Sequence, residues 1–101
     1  MIEVYADRRG SRCRLYVQGH AGFSSGEDIV CAAVSALTGA MVLYADESLA
    51  CRHLRWSTAP GELFLSCRGG LGAGFDIMMR GLRAIQAQYP EHLCIREANG
   101  C

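Results

Sequence analysis

The sequence predicts an α+β fold, a single small domain over residues 1–101. Its elements run in ββαββαβ order and build a mixed, largely antiparallel sheet carrying two helices. Three observations carry that reading. Two pairs of short alternating segments are joined by turn residues, Arg9-Gly10-Ser11 and Ala59-Pro60-Gly61-Glu62, and read as hairpins. Two longer apolar runs follow Gly-rich stretches and read as helices. Half of the 101 residues are hydrophobic, enough for one core and too many for disorder.

Ile2 to Asp7 reads as a strand with Ile2, Val4 and Ala6 on one face, and Cys13 to Gln18 returns with Leu15 and Val17 alternating. Tyr5 and Tyr16 are expected to pack across this hairpin. The stretch Ala21 to Gly26 is rich in Gly and Ser, with Phe23 its one large side chain, and reads either as a loop able to close over a peptide substrate or as one that Phe23 merely anchors on the core. A helix is expected from Asp28 to Ala45. Its Ala32, Ala33, Ala36, Gly39 and Ala40 would let another element approach closely. Apolar residues surround most of its circumference, which implies either central burial or a subunit interface.

Cys51 to Thr58 and Leu63 to Arg68 form the second hairpin, with His53 on its polar face as a surface residue. Gly69 to Gly74 lacks the G-K-[ST] ending of a phosphate loop and reads as a flexible link. The second helix is expected from Phe75 to Gln88, presenting Ile77, Met78, Leu82 and Ile85, and is ended by Tyr89-Pro90. Leu93 to Glu97 reads as a last strand.

Composition narrows the function classes. Net charge is zero, which argues against a general nucleic-acid or membrane-surface binder. All ten basic residues are arginine, and Arg8, Arg9, Arg12 and Arg14 gather at the first hairpin, where a solvated end is the commoner reading. The six cysteines show no C-x-x-C spacing and no basic-then-apolar leader precedes them, so a reduced, cytoplasmic protein without a metal site is expected. Ser35, Thr38 and Gly39 interrupt the longest apolar run, so no transmembrane helix is expected.

Chemistry concentrates between Gly19 and Leu37. Cys31 is expected in the first turn of its helix, where the positive end of the dipole favours a thiolate and free amides can hold an oxyanion. Glu27 and Asp28 supply acidic residues at the helix start. His20 would serve as base if the loop folds it to within ~3 Å of the sulfur. On composition and spacing alone, a buried structural Cys and a structural His are the commoner outcome.

The resemblance shifts that balance. His20-Ala21, Gly26, Asp28-Ile29-Val30-Cys31-Ala32 and Val34-Ser35-Ala36-Leu37 resemble the signature of the ribosomal-processing cysteine proteases. These small bacterial enzymes remove a short N-terminal extension from a protein of the large ribosomal subunit. The resemblance implies Cys31 as nucleophile and His20 as base, with Asp28, Ser35, Gly19 and Gly26 as supporting positions. It further implies a homodimer, cleavage after paired aromatic residues, and no cofactor. Asp28 would either cap the helix or orient His20. Ser35, four residues beyond Cys31, shares its helix face and would bond near the sulfur or to a backbone carbonyl. Phe23 would line the substrate groove. The competing readings are a non-catalytic ribosome-associated RNA- or protein-binding module that uses the arginine-rich hairpin, and a thiol redox protein.

Overall fold

The computed structural model describes residues 1–19 and 25–99. The elements are β1 (Ile2–Arg9), β2 (Arg12–Gln18), α1 (Ser25–Glu47), β3 (Cys51–Ala59), β4 (Glu62–Gly69), α2 (Gly72–Gln88) and β5 (Leu93–Asn99). Both expected hairpins form. Gly10 lies at φ 58° in the first turn, and Gly61 follows Pro60 at φ 75° in the second, a pairing that suits a tight turn with a left-handed third residue.

The strands make one sheet in the order β3-β4-β2-β1-β5. Neighbours are antiparallel except β1 and β5, which run parallel because α2 carries the chain across from β4 to the far edge. One face of the sheet is buried by Ile2, Val4, Ala6, Cys13, Leu15, Val17, Leu65 and Cys67, the alternate residues of β1, β2 and β4. Against it α1 packs Val30, Val34, Thr38, Met41, Val42 and Ala45, a stripe at helical spacing. Among the described residues, no helix covers the other face of the sheet.

Four expectations change. The buried stripe of α2 is Phe75, Met78, Met79 and Leu82, while Ile77 is exposed. That i, i+3, i+4, i+7 set includes an aromatic, which the expected stripe left out. Gly69 to Gly74 is not a flexible link. Gly69 makes a tight corner at φ 135°, its N–H bonded to the Ser11 carbonyl, and Gly72 and Gly74 already lie in α2.

Close helix approach is required at two glycines of α2, and not at Gly39 of α1. A Cβ at Gly81 would meet Leu37 Cδ1 at 2.8 Å and one at Gly74 would meet Tyr44 at 2.9 Å, whereas one at Gly39 would meet nothing. Finally, Ile29–Glu47 is by length and composition apolar enough to cross a membrane. The interrupting Thr38 hides its polarity by donating its hydroxyl to the Val34 carbonyl at 2.8 Å. Here that helix lays one side on the sheet, leaving Ile29, Leu43 and Tyr44 exposed, so it is not centrally buried.

Candidate active site

Cys31 is half-buried on α1 and borders a cleft of about 260 Å³. One wall is α1, contributing Cys31, Ser35, Thr38 and Gly39. The other is the β3–β4 turn, contributing Thr58, Ala59, Gly61, Glu62 and Leu63. Ile2, Val17 and Gly19 close the floor between them. The i, i+4 relation of Cys31 and Ser35 therefore places both on the cleft wall, as their spacing requires.

Gly19 ends the first hairpin inside this cleft. Its φ is 126°, and its N–H donates to the Gly61 carbonyl at 3.0 Å. A Cβ there would lie 2.5 Å from the Met1 carbonyl oxygen and 2.9 Å from Ile2 Cα, so only glycine fits. The backbone one residue before His20 is thus pinned at the edge of the space that Cys31 faces. His20 and Phe23 themselves, and the side chain of Asp28, lie outside the described residues.

The position of Cys31 in its helix differs from expectation. α1 starts at Ser25, so Cys31 is its seventh residue and belongs to the second turn. At 1.5 Å per residue it lies ~9 Å along the axis from the helix start, beyond the first turn where the dipole acts strongly. Its own N–H belongs to the helical ladder. The amides left free at the helix start are those of Ser25 to Glu27, about one turn back toward the side to which helical Cα–Cβ bonds lean. Asp28 and Gly26 accordingly have helical backbone within the first turn, which places Asp28 past a capping position.

The wall formed by the β3–β4 turn had no signal in the sequence. Thr58 to Leu63 reaches Cys31 only because β4 pairs with β2 and so lies beside the strand that ends at Gly19. Thr38 had one available signal, lying seven residues beyond Cys31 on the same helix stripe. Glu62, on the rim, accepts a hydrogen bond from the Tyr16 hydroxyl at 3.1 Å, and that bond together with burial raises the Tyr16 pKa, burial being the larger cause.

Two other thiols, Cys13 and Cys67, are held protonated by burial. Cys13 and Cys67 are cross-strand partners on the buried face of the sheet. Burial pushes the Cys67 thiol up to about 12, reinforced by the neighbouring Cys13 and Cys51, and raises Cys13 as well. All of the described cysteines are free thiols.

Comparison with known proteins places this geometry. The S. aureus ribosomal processing protease Prp in complex with a substrate peptide superposes with a TM-score of 0.80 at 20% identity, covering 97% of this chain and 100% of that one. The same S. aureus protease with a covalently linked product peptide gives 0.76 at 21% identity, covering 97% and 100%. SMU.848 from Streptococcus mutans gives 0.73 at 23% identity, covering 98% and 95%. At these identities the likeness establishes the shared α+β fold. No curated protein matches the chain. The family model described as cysteine protease Prp matches residues 1–94, and the chain belongs to that family of cysteine proteases.

Proposed function

We propose that the protein is a cysteine endopeptidase that removes a short N-terminal extension from a protein of the large ribosomal subunit, with Cys31 as nucleophile and His20 as base. The observation that carries this reading is the shared cleft: Cys31 and Gly19, the residue before His20, border the same space. Consecutive Cα atoms are ~3.8 Å apart, and this connectivity to Gly19 supports pairing His20 with Cys31. His20 takes the thiol proton, the sulfur attacks the scissile carbonyl, and the free amides at the start of α1 receive the oxyanion. His20 then protonates the leaving amine, and in the second half of the cycle deprotonates the water that hydrolyses the thioester.

In this mechanism activation rests on the imidazole rather than on the helix dipole, since Cys31 lies in the second turn. Ile2, Val17, Val34 and Leu63 give the cleft apolar walls suited to aromatic substrate side chains. Ser35 supports the cleft beside the sulfur, and Asp28 orients His20 or the loop. The chain acts as one domain in the cytoplasm and needs no cofactor.

Exposed Tyr44 and Ile77 line an apolar groove between α1 and α2, which is the surface proposed for a homodimer. The test is cleavage of a peptide spanning the extension and its aromatic pair, followed by mass spectrometry. Wild type should cleave once, and Cys31→Ser and His20→Ala should lose at least ~100-fold, the span expected for a missing acid–base partner. Iodoacetamide should modify Cys31 ahead of Cys13 and Cys67. Equal cleavage by Cys31→Ser would overturn the mechanism.

A further inference from the structure

The sheet face that carries no helix is ordered into rows by strand register. Arg9, Arg12, Arg68 and Arg52 are successive cross-strand partners on β1, β2, β4 and β3, forming a row of four like charges. In the next row Arg14 pairs with Ser66, and Ser66 with Arg55. The row after that is aromatic: Tyr5, Tyr16 and Phe64, with Arg96 beyond Tyr5 on β5. Beyond it lie Glu3, Gln18 and Glu62. The chain is neutral as a whole, yet this face is basic at one end, aromatic in the middle and acidic at the other.

Like charges placed directly opposite on neighbouring strands destabilise a sheet. Asp7 lies 3.3 Å from Arg9 and 3.8 Å from Arg12, which relieves one end of the row. Arg14, Arg52, Arg55 and Arg68 have no carboxylate within salt-bridge distance among the described residues, and all four are exposed. The aromatic row is open as well: Tyr5 is 37% exposed, its ring lies 6.3 Å from that of Tyr16, and Arg96 sits over it at 5.7 Å. A hollow of about 370 Å³ opens over these rings, between Arg14 and Arg96.

Strands stand ~4.8 Å apart and alternate residues ~6.8 Å apart, so the aromatic row spans ~10 Å and lies ~14 Å from the arginine row. Flexible arginine side chains shorten that gap to the reach from a phosphate to its base. We propose that this face binds single-stranded RNA, the arginine row taking the phosphates and Tyr5, Tyr16 and Phe64 stacking the bases. The carboxylates of Glu3 and Glu62 repel phosphate at the far end, which fixes the strand's orientation, and they accept hydrogen bonds from ribose 2′-hydroxyls. Cys31 lies on the other side of the sheet and Glu62 alone is shared between its cleft and this face, so Arg52→Ala and Arg68→Ala should weaken RNA binding while leaving peptide cleavage unchanged.

The test is fluorescence anisotropy of a labelled twelve-nucleotide single-stranded RNA with the full chain, as wild type and as Cys31→Ser. Both should bind alike. With four phosphates neutralised, the log–log salt slope should be ~−3, a loss of ~50-fold between 50 and 200 mM salt. Arg68→Ala and Arg52→Ala should each bring the slope to ~−2. Tyr16→Phe should bind as wild type, and Tyr16→Ala roughly five- to a hundredfold more weakly, with circular dichroism confirming that both fold. The proposal is overturned by absence of binding at 50 mM salt or by slopes that the arginine variants leave unchanged. Equal competition from duplex RNA, matched single-stranded DNA or anionic vesicles overturns it too, as does sedimentation showing two copies joined through this face.

Discussion

Replacing Gly19 by alanine should damage both fold and cleft, and the size of the effect follows from the backbone. At φ 126° an L side chain is strained, at a cost of ~1–3 kcal/mol. The added Cβ would also lie 2.5 Å from the Met1 carbonyl oxygen. That oxygen cannot retreat freely, because the next residue, Ile2, is fixed by its N–H bond to the His92 carbonyl at 2.9 Å and by full burial of its side chain. Relief must come from moving Gly19, which weakens its bond to Gly61, worth ~1 kcal/mol. The total is ~3 kcal/mol, and at ~4–8 °C per kcal/mol for a domain of this size the melting temperature should fall by ~12–24 °C. Gly10→Ala is the control: φ is 58° and nothing lies within 4 Å of the new methyl, so only the left-handed cost of ~1–2 kcal/mol applies. Calorimetry on the two variants, with peptide cleavage measured well below either midpoint, separates the contributions. If Gly19→Ala melts no lower than Gly10→Ala, the close approach of β1 and the end of β2 does not constrain this site.

Three further outcomes are expected. Gly39→Ala places a methyl in open cleft space on a helix, so it should raise stability by ~0.5–1 kcal/mol while raising KM for the peptide; a lower melting temperature would contradict the open geometry. Burial holds Cys67 protonated up to about 12, so between pH 9 and 12 the unfolded chain releases a proton that the folded chain keeps, and stability should fall as pH rises. Urea unfolding across that range should show the decline, and Cys67→Ala should flatten it. Leu65→Ala, at a fully buried position in the middle of the sheet, should cost ~3–5 kcal/mol by urea titration; less than ~2 would mean the core closes over the cavity.

The sequence by itself determined the elements and the chemical candidates, because both are written locally. Alternation of Ile2, Val4 and Ala6 marks a strand face regardless of neighbours, Pro60-Gly61 makes a turn by its own dihedrals, and Cys31 and Ser35 share a helix face by their spacing. Tertiary structure decided what pairs with what. Only the placing of β4 beside β2 brings the Thr58–Leu63 turn to the cleft, and only the helix start at Ser25 moves Cys31 out of the reach of the dipole. The same holds for charge. A neutral composition argued against nucleic acid, yet register collects Arg9, Arg12, Arg68 and Arg52 into one row, while Asp46, Glu47 and Asp76 lie on the helices. A sum over the chain has no direction, and strand pairing between residues far apart in sequence supplies one.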